Sequence, residues 1–300
     1  METRAISPQS YSLYALIVLI WGSTWIAIKF QLGEVEPLVS VIYRFGISAI
    51  LLFAWCVLVR ARIRLSLLEH AFVALQGVCL FGINLWLTYS SEVYLAGGVV
   101  AVVFASTVFM NAFNAALFLR RPVAPPVLAG GMLGLCGVAL LFWPEIQRLG
   151  SSEGAVRGLL LAVLATYCAS LGNIAATRNT AFSLPVISIN AWGMFYGTML
   201  LLVIGALKGA EFGFPPRPSY TIALLYLAVF GSVIAFGAYV RLLAQIGPDR
   251  AGYSSMMIPL VALVISTLFE GYRWTVPAAL GVALIIAGNL LAMRRRLAFA

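Results

Sequence analysis

The stretch "LVSVIYRFGISAILLFAWCVLV", residues 38–59, is an apolar run whose one charged residue is Arg44. A helix that crosses the hydrocarbon core of a bilayer needs about 20 mainly apolar residues. The run is therefore predicted to span a membrane. A charge that faces lipid is costly, so Arg44 must either reach the membrane surface or meet a partner inside the protein.

The composition of the whole chain supports the same conclusion. Hydrophobic residues make up 62% of the 300 positions and charged residues 10%, whereas soluble proteins carry about 25% charged residues. Ten runs are long and apolar enough to span a membrane, at residues 12–30, 37–59, 68–90, 96–119, 125–143, 157–178, 184–207, 219–242, 252–270 and 276–293. We predict an all-α integral membrane protein with ten transmembrane helices.

The basic residues predict the orientation of these helices. Ten spans put both termini on one side, and cytoplasmic loops carry the excess of Lys and Arg. The side of the termini receives Arg4, Arg60, Arg62, Arg64, Arg120, Arg121, Arg178, Arg241, Arg250, Arg294, Arg295 and Arg296. The other side receives only Lys29, Arg148, Arg157, Lys208, Arg217 and Arg273. Both termini are therefore predicted to be cytoplasmic.

The chain repeats itself at a shift of 151 residues. "LFLRRPVAPPVLAGGMLGLCGVAL" (117–140) then lies over "LFEGYRWTVPAALGVALIIAGNLL" (268–291). The informative matches pair a proline and two glycines, namely Pro126/Pro277, Gly130/Gly281 and Gly137/Gly288. We predict two five-helix repeats, 12–143 and 157–293. The odd helix number inverts one repeat relative to the other, as in many secondary transporters.

Three motifs stand out, namely "WGSTWIAIK" (21–29), "YRF" (43–45) and "AQIGPDRAGYSSMMIPLVALVISTLFEGYRWT" (244–275), the last of them followed by a glycine-rich helix. They resemble motifs of the drug/metabolite transporter superfamily, specifically its EamA-type members. The resemblance covers nearly the whole chain. It implies export or exchange of small metabolites, often amino acids or related compounds, and it leaves the substrate undetermined.

Arg44 has two interpretations. It lies seven residues after Pro37, about 10 Å along a helix at 1.5 Å per residue, so a snorkelling side chain would nearly reach the outer headgroups. Alternatively it faces the bundle and offers its guanidinium to a carboxylate, either that of Glu92 or one on the substrate. We favour the inward-facing interpretation.

Several helices carry polar or aromatic residues at helical spacing within their apolar runs. Amides and hydroxyls at such positions either join helices by hydrogen bonds or line a polar cavity. Trp21, near the middle of the first helix, is a candidate aromatic wall. Together with Arg44, the predicted substrate-binding residues are Trp21, Asn84, Asn111, Tyr167, Asn173, Asn190 and Tyr239.

We expect a secondary transporter of amino-acid-like, zwitterionic or anionic solutes in the bacterial inner membrane, working by alternating access. Multidrug efflux of amphipathic cations is the alternative, which a buried Arg44 disfavours by repulsion. A lipid-modifying membrane enzyme is a further alternative, but His70 is the single histidine and no acidic pair lies at mid-membrane. No catalytic residue, metal, cofactor or nucleic-acid partner is predicted. A monomer in the lipid bilayer is expected.

Overall fold

The computed structural model describes residues 8–33, 35–95, 97–147, 154–269 and 274–293. Within these ranges the regular secondary structure is entirely helical. Some of the charged residues that were used to predict the orientation lie outside the described residues, namely Arg4, Arg148, Arg273 and residues 294–296. Glu270, part of one motif of the family resemblance, also lies outside them.

The helices follow one another along the described chain with short connections. They are α1 (Pro8–Lys29), α2 (Pro37–Leu58), α3 (Leu67–Glu92), α4 (Gly97–Ala105 and Thr107–Leu119), α5 (Pro125–Leu141), α6 (Ala155–Ala181), α7 (Val186–Lys208), α8 (Pro218–Ile246), α9 (Ser254–Phe269) and α10 (Val276–Met293). Short helices at Trp143–Gln147 and Pro248–Ala251 precede α6 and α9.

Most of these helices match the dimensions of a bilayer. In the described ranges, seven segments are both long and apolar enough to span it, in α1, α2, α3, α4, α6, α7 and α8. The apolar parts of α5, α9 and α10 are shorter. Large apolar side chains point outward, as at Ile50, which is 70% exposed, and Ile222. An apolar outer surface is what lipid requires, so an all-α membrane protein is confirmed.

Local sequence signals set several of the helix ends. Proline occupies the first turn of α2, α5 and α8, where its missing N–H is not needed. The α3 helix begins with a capping box, because the Ser66 hydroxyl accepts from the Glu69 N–H and the Glu69 carboxylate accepts from the Ser66 N–H. Gly209 ends α7 at a φ of 66°, a left-handed conformation that glycine adopts without strain.

Two helices contain a wider, π-helical stretch near their middle. It covers Gly77–Ile83 in α3 and Leu227–Ile234 in α8. A π-helical segment changes the angular spacing of side chains, so residues before and after it no longer share one face. Gln76, which precedes this stretch in α3, bonds to Asn179 and Asn190, whereas Asn84, which follows it, lines the cavity described below.

Helices α5 and α10 pack backbone against backbone at matching glycines. A Cβ on Gly130 would lie 2.5 Å from the carbonyl oxygen of Gly288, and a Cβ on Gly288 would lie 2.5 Å from that of Gly130. The pair Gly137 and Gly281 repeats this reciprocity at 2.6 Å. Residues related by the 151-residue shift therefore occupy equivalent places on opposite sides of a self-complementary contact.

The glycine contact generates a stability prediction. Gly137→Ala places a methyl group against the Gly281 carbonyl and Ile285, and overpacking of this kind costs about 1–3 kcal/mol. We expect a lower midpoint in the thermal unfolding of the purified protein in detergent. Gly237→Ala is the matched control, because Gly237 is also helical but a Cβ there meets nothing within 4 Å. Equal midpoints for the two variants would contradict the packing argument.

Candidate solute-binding cavity

A cavity of about 110 Å³ lies inside the bundle, between α1, α2, α3, α4, α6, α8 and α9. Its polar wall contains a cation, an acid and two amides, and its apolar wall contains aliphatic and aromatic side chains. The lining residues that bear on function are Trp21, Thr24, Arg44, Asn84, Thr88, Glu92, Thr107, Asn173, Phe236, Tyr239, Ser254, Ser255 and Pro259. This mixture of charged, amide and apolar groups is suited to hold a small polar solute.

Arg44 is the buried cation of this cavity, with 3% of its surface exposed. Its Nε donates a hydrogen bond to the Ser232 hydroxyl at 2.9 Å, and its Nη1 donates to the Tyr89 hydroxyl at 3.2 Å. The structure thus places Arg44 inside the bundle and excludes the snorkelling alternative. Both hydrogen-bond partners are neutral, so they orient the guanidinium without cancelling its charge.

The hydrogen bonds of Arg44 extend to the end of α1. The Tyr89 hydroxyl, which accepts from Arg44, donates to Gln31 Oε1 at 3.2 Å. Among the described residues, no carboxylate comes within salt-bridge distance of Arg44, and Glu92 is no exception. The pairing with Glu92 that was considered from the sequence is therefore not formed in this structure.

Trp21 and Tyr239 form an aromatic wall of the cavity. The Trp21 ring lies 5.0 Å from those of Phe236 and Tyr239, centroid to centroid. Its indole N–H donates to the Gly231 carbonyl at 3.0 Å, in the π-helical stretch of α8. The hydrogen bond and the ring contacts hold Trp21 in one orientation, with its remaining surface toward the cavity.

The amide of Asn173 reaches the cavity from α6 and is oriented by a chain of hydrogen bonds. Asn111 donates to the Pro248 carbonyl at 2.9 Å, and Asn173 donates to Asn111 Oδ1 at 3.3 Å. A backbone carbonyl only accepts, so it fixes which end of each amide is the donor. Asn173 Oδ1 is then left buried and accepts no hydrogen bond within the described chain.

Glu92 is a cavity residue that was not among the predicted substrate-binding residues, since from the sequence it was considered only as a partner of Arg44. The structure places it in the cavity wall, with Oε1 buried and accepting no hydrogen bond within the described chain. The spacing of polar residues in α3 predicts that Glu92 lies on the same face as Asn84. Asn84, Thr88 and Glu92 follow one another at steps of four, which places them on one helical face, and all three line the cavity.

Three predicted residues lie outside the cavity wall. Tyr167 is 40% exposed on the outer face of α6. A helix turns about 100° per residue, so the side chains of Tyr167 and Asn173, six residues apart, point about 120° away from each other. Asn190 is buried but pairs with Gln76, which in turn accepts from Asn179. Asn111 does not line the cavity, but its Oδ1 accepts a hydrogen bond from Asn173, which does. Trp21, Arg44, Asn84, Asn173 and Tyr239 are brought together.

Apolar helices around a buried, charged and amide-lined cavity define a multi-pass membrane protein of the transporter class. The sequence profile of the EamA-like transporter family matches residues 9–143 and again residues 156–294. The chain belongs to this family, which confirms the resemblance drawn from its motifs.

The relatives agree with this assignment. The uncharacterized inner membrane transporter YedA of Escherichia coli (strain K12) is 28% identical over 90% of this chain and 86% of its own. The uncharacterized transporter YoaV of Bacillus subtilis (strain 168) is 25% identical over 91% and 92%. One solved crystal structure has the same fold, with a TM-score of 0.77 and 19% identity over 96% of this chain and 99% of its own.

The support of Arg44 by hydroxyl groups can be tested through Tyr89. Tyr89→Phe removes the acceptor of one Arg44 hydrogen bond, and a hydrogen bond to a charged group contributes about 1.5–3 kcal/mol. We expect a lower unfolding midpoint in detergent. Tyr167→Phe is the matched control, because an exposed hydroxyl contributes within about 0.5 kcal/mol. If both variants unfold like the wild type, Tyr89 does not support the guanidinium.

Proposed function

We propose that this protein is a secondary transporter that exports or exchanges a small carboxylate-bearing solute, zwitterionic or anionic, across the bacterial inner membrane. The observation that carries the proposal is Arg44. It is buried in the cavity wall, permanently charged, oriented by two neutral hydroxyls and without a carboxylate partner among the described residues. A guanidinium in this state matches the geometry of a carboxylate, which it binds through two parallel hydrogen bonds.

The topology we propose is ten transmembrane helices in two inverted five-helix repeats, 12–143 and 157–293, with both termini in the cytoplasm. Three observations support it. The family profile matches the chain twice, at 9–143 and 156–294. The π-helical stretches begin at Gly77 and Leu227, close to the 151-residue shift. The glycine contact between α5 and α10 is reciprocal, as two inverted repeats require.

Alternating access is the mechanism that suits this arrangement. The proposed first repeat contributes Trp21, Arg44 and Asn84 to the cavity, and the second contributes Asn173 and Tyr239. A solute held between two repeats is exposed to one side or the other when they rock against each other. Export as the direction rests on the family resemblance alone. The transporter is proposed to act as a monomer, since one chain contains both repeats.

The alternatives fit the cavity less well. Multidrug efflux requires room for amphipathic cations, but the cavity holds about 110 Å³, against about 300–1,000 Å³ for pockets that bind drug-sized ligands. Arg44 would also repel a cation. An enzyme is disfavoured by membership in a transporter family, and the described residues contain no cluster of His, Cys, Asp and Glu suited to a metal.

The proposal predicts that carboxylate-bearing solutes bind through Arg44. A solute that binds the folded protein at 100 times its Kd raises the free energy of unfolding by about 2.7 kcal/mol. We expect amino acids or organic anions in a panel to raise the unfolding midpoint of the wild type. Arg44→Gln should bind the same solutes about 10- to 100-fold more weakly, since hydrogen bonds to charged groups contribute about 1.5–3 kcal/mol.

Two further variants make this test specific. Arg44→Lys keeps the charge but loses the planar fork, so we expect partial binding. Arg241→Gln removes an arginine that is exposed on α8 and should bind like the wild type. Exchange of a radiolabelled hit in proteoliposomes should fall in parallel with binding. An Arg44→Gln variant that is less stable but responds to solute as the wild type does would make Arg44 a purely structural residue.

A further inference from the structure

A second concave site lies at one end of the bundle, apart from the cavity that contains Arg44. This groove has a volume of about 360 Å³, and its walls come from α2, α3, α6 and α7. Its lining includes Trp86 and Ser90 of α3, Arg157 and Leu161 of α6, and Lys208 of α7. Among the described residues, the groove and the first cavity share no lining residue. The volume of the groove falls within the range of about 300–1,000 Å³ that is typical of ligand pockets.

The groove lies at the depth of the membrane surface. Its lining residues belong to, or directly flank, the first two turns of α2 and α6 and the last two turns of α3 and α7. The deepest of them, Trp86 and Leu161, are each six residues from a helix end, which is about 9 Å at 1.5 Å per residue. The groove therefore extends from the headgroup region to the edge of the hydrocarbon core. In the proposed topology, all four helix ends lie at the outer leaflet.

The groove opens toward lipid. Helix α3 packs against both α6 and α7, at Gly172 and Gly193 respectively, and the groove lies over the side of α3 between these two neighbours. Val93, at the end of α3, is 61% exposed. Leu164 lies seven residues after Arg157, hence on nearly the same face of α6, and is 54% exposed. The groove thus continues into the apolar outer surface that faces the acyl chains.

Two cations stand in the groove on neutral aromatic rings. Arg157 Cζ lies 5.1 Å from the centroid of the Tyr94 ring, and Lys208 Nζ lies 4.7 Å from that of the Trp86 ring. A ring positions a cation without cancelling its charge. Within the described chain, neither cation is within salt-bridge distance of a carboxylate. Glu36, exposed at the start of α2, also lines the groove, so the lining carries one net positive charge.

The two cations are spread along the groove instead of meeting at one point. Trp86 and Tyr94 are eight residues apart, which corresponds to about 12 Å along a helix, and each ring carries one cation. A small anion would contact only one of them. A ligand that uses both cations must be extended, and the opening toward lipid requires that one end of it be apolar.

We propose that the groove binds an anionic phospholipid of the outer leaflet, with its headgroup between Arg157 and Lys208. A phosphodiester accepts charge-assisted hydrogen bonds from both side chains. The acyl chains lie along Leu161 and Leu164 toward the middle of the bilayer. The single net positive charge of the lining favours a singly negative headgroup over a zwitterionic one. Since α2 and α3 belong to the proposed first repeat and α6 and α7 to the second, the bound lipid contacts both repeats.

Lipid-dependent stability tests the proposal. The purified full-length protein in detergent is titrated with dioleoyl phosphatidylglycerol, with the phosphatidylethanolamine or phosphatidylcholine of the same chains, or with glycerol 3-phosphate, and its thermal unfolding is followed. A ligand that binds only the folded protein raises the unfolding midpoint according to its affinity. For the wild type we expect phosphatidylglycerol to bind about 5-fold or more tightly than either zwitterionic lipid, since about 1 kcal/mol separates them for each basic residue engaged. Glycerol 3-phosphate should leave the midpoint unchanged.

Variants of the two cations make the test specific. Arg157→Gln and Lys208→Gln should each weaken the binding of phosphatidylglycerol about 5-fold, and the double variant about 25-fold, since one basic residue near an anionic lipid surface contributes about 1 kcal/mol. Their binding of phosphatidylcholine should not change. Arg217→Gln is the matched control, because Arg217 is an exposed arginine at the start of α8, on the same side in the proposed topology and outside the groove. Unfolding midpoints without added lipid establish that each variant is folded.

A preference for phosphatidylglycerol that is lost in the double variant and kept in Arg217→Gln supports the proposal. Equal binding of the three lipids by the wild type, or a preference that the double variant keeps, overturns it. An equal loss in Arg217→Gln would show an effect of general surface charge, and stabilisation by glycerol 3-phosphate that the double variant loses would show a site for a soluble phosphate. Either result also overturns the proposal. Solute binding through Arg44 enters none of these measurements, so the proposed function is tested separately.

Discussion

The structure depends most on the burial of one positive charge. Removing an ion such as the Arg44 guanidinium from water costs several kcal/mol even after the protein has relaxed around it. Here the compensation comes from neutral hydroxyls, Ser232 on α8 and Tyr89 on α3, with Gln31 behind Tyr89. One side chain of α2 thus ties together two other helices and the end of α1. The same arrangement leaves its charge available to a solute in the cavity.

A second constraint acts where α5 packs against α10. In lipid, helices associate through close packing because no hydrophobic force drives them together. The glycines of α5 and α10 allow their backbones to touch, with Gly130 on Gly288 and Gly137 on Gly281. The apolar helices of this bundle thus form two kinds of contact. Helices α5 and α10 pack without room for a methyl group, whereas other helices leave a polar cavity between them. The first gives a fixed junction between the proposed repeats, and the second gives the proposed binding site.

The polar side chains of the bundle fall into two groups with different roles. Gln76, Asn179 and Asn190 bond to one another and join α3, α6 and α7. Asn173, supported by Asn111, faces the cavity. All five are buried amides, so their chemical type does not separate structure from function. Their positions do, since Asn173 lines the cavity, whereas Gln76, Asn179 and Asn190 are not among its lining residues.

The sequence alone determined the membrane setting, the helices and the burial of a polar set, because apolar run length and helical period are local properties. It also placed Trp21, Arg44, Asn84, Asn173 and Tyr239 among the site candidates, all of which line the cavity. Only the tertiary structure decided which polar residues meet, because the π-helical stretch after Gln76 changes the facing of everything beyond it. The tertiary structure also placed Glu92 in the cavity wall and Tyr167 on the outer surface, since helix packing determines which face of a helix turns inward.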